Sequence, residues 1–170
     1  FNSNQYRAFH SNALPFFRKD ADLWPCYRNS QGVSYADKLT KEGEGVRFFN
    51  PQEFGISFVA NSVITTIKLM QQQPDLVDDF LSALLSAWED SMQPAHEAWV
   101  LSAVGKLDGG IKDDIRKKQL GATKTLVKPS DYIRIGTIDI DGWEQTETIL
   151  LSEKLIKKRV NITEHLIQIK

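Results

Sequence analysis

The sequence predicts an α/β fold. Three observations carry that expectation: a strand–helix–strand order in the first third, long amphipathic helices after it, and a length that lets one domain bury a proper core. The chain has 170 residues, 41% hydrophobic and 25% charged. Those fractions belong to packed domains and not to disordered chains.

The elements follow in order. "SNALPFFRKD" is expected as a short helix, with Asn12 as its cap and Pro15 in its first turn. "ADLWPCY" reads as a strand whose Pro25 places it at an edge or a strand end. "SYADKLTKEGEG" reads as a helix capped by Ser34 and stopped by glycines. "VRFF" and "GISFVA" are two further strands, separated by "NPQEFG". "TTIKLMQQQ" starts a helix at a Thr cap and stops before Pro74. The next helix opens at Pro74 and carries Leu76, Val77, Phe80, Leu81, Leu84, Leu85 and Trp88 as a wide apolar stripe. "PAHEAWVLSAV" repeats the device behind Pro94, and "GGIKDDIRKKQLGA" is a polar helix between glycines. "DGWEQTETILLSEKLI" is the last helix, with Trp143, Ile149 and Leu150 turned inward. The chain thus runs α/β first and mostly α afterwards, changing over near "FGISFVANSV".

Composition excludes several functions. The net charge of −1 gives no basic footprint for nucleic acid and no polybasic membrane patch. No run approaches the roughly 20 apolar residues of a membrane helix. One cysteine, Cys26, permits no internal disulfide and no cysteine-rich zinc site. Its neighbours Pro25 and Tyr27 bring no cation to activate it, so it is expected to be small, buried and unreactive. "TIDIDGWEQTET" has the spacing of a calcium loop, but Thr137 and Thr148 stand where carboxylates are needed. Asp139 is better read as the cap of the helix that follows. Asp78 with Asp79, and Asp113 with Asp114, read as solvated acids. His96 reads as a partly buried structural histidine and not a base. No phosphate-binding glycine loop, nucleophile elbow or zinc-protease motif occurs. No catalytic residue, metal site or cofactor is therefore assigned.

The stretch "ADLWPCYRNSQG", residues 21–32, interleaves aromatic and polar groups. Trp24 and Tyr27 differ by an odd number, so on a regular strand they face opposite sides. One reading makes Trp24 core and Tyr27 surface. The other makes both stacking groups for a flat ligand, with Asp22 and Asn29 reading its polar edge. Ligands in open α/β sheets sit where strands run out into loops, and this segment is such an exit. "FGISFVANS" is the second candidate, through Phe58 and Asn61.

In their order, "DADLWPCY", "NPQEFGISF", "TT", "PDLVDDFLSALLSAW" and "IDGWEQT" resemble the NMT1/THI5-like family over about residues 11–166. Each motif alone is weak; the order and spacing together are fairly specific. The resemblance implies a type II periplasmic-binding-protein-like fold with three-layer lobes, of which this chain carries the end of the second lobe (residues 1–55) and the hinge and return to the first (residues 56–170). It implies an extracytoplasmic or periplasmic solute-binding protein that does not turn its ligand over. The ligand would be a small organic molecule, such as a pyrimidine thiamin precursor, a riboflavin-like molecule or a sulfonate. The partner would be an ABC permease or, in the alternative, a fused signalling domain of a kinase or cyclase. A pyrimidine-forming enzyme is the remaining alternative, weakened because the family's cysteine-rich motif is absent. The chain begins without Met, and an N-terminal half supplied elsewhere, or a homodimer, is expected to complete it.

Overall fold

The computed structural model describes residues 12–59 and 61–167. Among these residues are seven α-helices: α1 (Leu14–Phe17), α2 (Gln31–Lys41), α3 (Ile67–Gln72), α4 (Pro74–Met92), α5 (Glu97–Leu107), α6 (Asp113–Val127) and α7 (Ile140–Ser152). Short 3-10 turns lie at Pro51–Phe54, Pro94–His96 and Ile162–Glu164.

Most helix boundaries have a visible cause. The Asn12 side chain accepts from the Leu14 amide at 3.1 Å, and Pro15 fills the first turn of α1. The Thr66 hydroxyl accepts from the Leu69 amide at 3.1 Å and opens α3. Pro74 heads α4, where its missing N–H costs nothing. Asp139 accepts from the Gly142 amide at 2.9 Å and caps α7. That closure requires glycine, because a Cβ at position 142 would lie 2.5 Å from Asp139 Oδ2 and 3.2 Å from Ser57 Oγ. Ser34 does not cap α2. The helix starts earlier, at Gln31, because the Ser30 and Gly32 amides both fold back onto the Tyr27 carbonyl and wind the chain four residues sooner.

The helices pack in sequence and then close. α3 packs on α4, α4 on α5, α5 on α6, and α6 on α2. Among the described residues the buried apolar side chains are Ala13, Val100 and Ile115, the last two on the paired helices α5 and α6. α1 rests on α2 through Phe17, whose ring meets Tyr35 edge-on at 5.2 Å and carries the Lys38 ammonium 3.8 Å from its centroid. The stripe on α4 is only partly covered: Leu76 and Phe80 are exposed, while Val77, Leu81, Leu84, Leu85 and Trp88 are half-buried. Trp143, Ile149 and Leu150 of α7 are half-buried as well.

The expected sheet is not formed among the described residues. "ADLWPCY", "VRFF" and the described part of "GISFVA" run without a ladder, so the α/β layering is not borne out among the described residues, which pack as helices joined by extended connections. The physical reason is visible at residues 55–59. The Ser57 N–H donates to Gln145 Oε1, the Val59 N–H donates to Thr146 Oγ1 at 2.9 Å, and Gln145 Nε2 donates to the Gly55 carbonyl at 3.1 Å. Side chains of α7 take the positions that a neighbouring strand's backbone would fill. In "ADLWPCY", Pro25 has no N–H to give, and the Tyr27 N–H is taken by Gln31 Oε1 at 3.2 Å.

Candidate functional site

The loop of residues 21–32 enters α2 by winding tightly on itself. Gly32 is buried where three groups converge: a Cβ there would meet Phe48 Cε1 at 3.1 Å, the Tyr27 carbonyl at 3.2 Å and Cys26 Sγ at 3.4 Å. The loop is fixed to α6 from the other side. Asn29 Nδ2 donates to Thr123 Oγ1 at 3.0 Å, and Gln119 Nε2 donates to the Ser30 carbonyl at 3.1 Å.

Between α2, α6 and Phe48 lies an open groove of about 410 Å³, lined by Arg28, Gly32, Val33, Ala36, Asp37, Thr40, Phe48, Lys118 and Ala122. Its lining joins the apolar Val33, Ala36, Phe48 and Ala122 to the charged Asp37, Lys118 and exposed Arg28. Asp37 bridges the two helices, 2.7 Å from Lys118 Nζ on α6 and 2.6 Å from Lys41 Nζ one turn along α2. The hydrogen bond from Lys118, then that from Lys41, holds the Asp37 carboxyl below the ordinary Asp range. Asp37 is therefore balanced within the protein. Arg28 makes no hydrogen bond or ion pair among the described residues, which leaves its guanidinium as the groove's unspent cation.

A second groove of about 790 Å³ runs between α5 and α6. Its main polar group, the buried Arg116, is already engaged: it pairs with Asp113 and donates to the carbonyls of Asp108 at 2.9 Å and Ile111 at 2.7 Å. That arrangement clamps the turn between two helices and leaves little of the guanidinium for a ligand.

None of the six residues expected from the sequence lines the first groove, although the stretch that holds four of them does so through Arg28 and Gly32. Asp22 and Tyr27 are exposed, Trp24 is half-buried, and Asn29 is half-buried with its amide on Thr123. Phe58 and Asn61 are exposed. Sequence reasoning missed Arg28, Asp37, Phe48 and Lys118. Arg28 was within reach, since it stands inside the quoted motif; Asp37 and Lys118 lie 81 residues apart and only the α2–α6 packing joins them. Cys26 is exposed, not buried, yet its sulfur leans on Gly32 and partial burial pushes the thiol pKa up. His96 is also exposed: its Nδ1 is 3.0 Å from the Asp90 carbonyl, which it bonds at the end of α4.

The family model described as NMT1/THI5 like matches residues 4–98, more than half of the chain. The chain belongs to that family. The match covers the loop, α2 and the Phe48 side of the groove, and stops at Ala98, short of the 11–166 span of the motif resemblance. No curated protein and no solved structure matches the chain. The family consists mostly of extracytoplasmic binding proteins and implies a periplasmic-binding-protein-like fold and a substrate-binding role in general terms. Among the described residues no helix is long and apolar enough to cross a membrane.

Proposed function

We propose that this chain binds a small organic ligand in the α2–α6 groove and releases it unchanged. The single observation that carries the reading is Arg28, an unpartnered guanidinium in the lining of a largely apolar groove within a family of binding proteins. A guanidinium in such a lining favours a ligand with an anionic or strongly accepting end. Val33, Ala36, Phe48 and Ala122 favour an apolar body on that ligand. Sulfonates and pyrimidine or riboflavin-like molecules meet both requirements. The groove takes its lining from both sides of residue 55, as a cleft between two lobes would. Trp24 and Tyr27 stand on the loop that delivers Arg28 and Gly32 but outside the groove's lining, and in this proposal they stack on a part of the ligand that projects beyond the groove.

Delivery to an ABC permease from the periplasm is the biological role we assign, with a ligand-sensing domain as the second reading. Equilibrium titration with a sulfonate, a pyrimidine and riboflavin tests the binding claim. Loss of one charge-assisted hydrogen bond, about 1.5–3 kcal/mol, makes Arg28→Ala weaken binding about ten- to a hundredfold. Unchanged affinity in Arg28→Ala, or recovery of a chemically altered ligand, overturns the proposal.

A further inference from the structure

We infer that Asn29 and Thr123 are a positioning pair that holds Arg28 against the ligand groove; the inference rests on the binding role proposed above for Arg28. Residues 27–30 form a tight turn, closed by the Ser30 N–H on the Tyr27 carbonyl at 3.1 Å, with Arg28 and Asn29 at its two central positions. The same carbonyl takes the Gly32 N–H at 3.0 Å, and Gln31 Oε1 takes the Tyr27 N–H at 3.2 Å. Those bonds fix the shape of the turn. Its placement comes from α6, where Thr123 Oγ1 accepts from Asn29 Nδ2 at 3.0 Å and Gln119 Nε2 donates to the Ser30 carbonyl at 3.1 Å. Of the four turn residues, Arg28 is the one that none of these bonds uses.

Helix spacing ties this anchor to the groove. Gln119 and Thr123 are one turn apart on α6, and so are Lys118 and Ala122, which line the groove. The two rows are neighbours on one helix, so the turn is registered against the same wall that faces the ligand. The direction of the bond is fixed as well. The Thr123 hydroxyl gives its only proton to the Gln119 carbonyl at 2.8 Å. Its oxygen is left to accept, and only the Nδ2 end of the Asn29 amide can meet it. An arginine on an unanchored turn samples many positions, and ordering it on a ligand costs affinity. The bond from Asn29 to Thr123 removes part of that cost before the ligand arrives.

The test is calorimetric titration of the purified chain with butanesulfonate and with the uncharged butyl methyl sulfone. Asn29→Ala and Thr123→Val each remove one N–H···O bond while the Gln119 anchor stays. Each should weaken butanesulfonate binding about three- to tenfold, with sulfone binding and the helical circular dichroism unchanged. Thr123→Ser keeps the hydroxyl and should bind as wild type does. In an Arg28→Ala background neither Asn29→Ala nor Thr123→Val should weaken binding further. Equal losses for both probes mean a general distortion of the groove and overturn the inference, as do the same losses in the Arg28→Ala background. Full affinity in Asn29→Ala and Thr123→Val, beside a weakened Arg28→Ala, overturns this inference alone. A wild-type chain that binds neither probe, or an Arg28→Ala variant that binds butanesulfonate as wild type does, removes the binding role of Arg28 and this inference with it.

Discussion

Thr146→Val isolates the contact that holds residues 55–59 against α7. Thr146 is 4% exposed, and its Oγ1 accepts from the Val59 N–H at 2.9 Å while donating to the Gly142 carbonyl at 2.7 Å. Valine keeps the shape and the branch at Cβ and replaces the hydroxyl by a methyl group. The Gly142 carbonyl lies inside α7 and retains a helical partner. The Val59 N–H retains none, and a covered donor left unsatisfied costs about 1–3 kcal/mol. At about 2–4 °C per kcal/mol for a chain of this size, the melting temperature should fall by about 2–12 °C. Amide exchange supplies the local readout: Val59 should lose protection while amides inside α4 keep theirs. A variant with unchanged melting temperature and an equally protected Val59 amide would refute the claim that α7 side chains substitute for a neighbouring strand.

Asp37 predicts an acid-sensitive joint between α2 and α6. Its folded pKa is lowered, so the stabilisation is present above the unfolded value of about 3.9 and disappears as pH falls through the folded value. Wild type should melt higher than Asp37→Asn at neutral pH, and the two curves should converge on acidification; a gap that persists in strong acid contradicts this. Cys26 should react slowly with a thiol reagent in the native protein at neutral pH and faster as pH rises, because burial of the sulfur raises its pKa. Labelling as fast as in unfolded protein removes the leaning of Sγ on Gly32 from the account.

Local signals in the sequence were legible wherever one residue acts on its near neighbours. Asn12, Thr66, Pro74 and Asp139 mark helix starts through bonds or ring constraints that span at most three residues. The strands were not legible, because a strand is defined by what lies beside it. Apolar, β-branched stretches such as "GISFVA" satisfy the local pattern of a strand whether the neighbour is another strand or, as here, the Gln145 and Thr146 side chains. The groove was half legible. The loop 21–32 drew attention for its aromatic residues, but the groups that line the cavity are its arginine and its buried glycine. Burial of Gly32 depends on Phe48, and the balance at Asp37 depends on Lys118; neither pairing leaves a mark in the local pattern.

The three bonds between residues 55–59 and α7 also set an order of folding. Ser57 and Gln145 are 88 residues apart. Closing a flexible loop of that length costs roughly 4 kcal/mol, and three hydrogen bonds at about 1 kcal/mol net apiece fall short of it. The contact cannot lead. Helices α3 to α6 must first pair with their sequence neighbours and draw the ends together, and only then does α7 capture the extended segment. On unfolding the sequence reverses, so residues 55–59 should be released before the helical pairs separate.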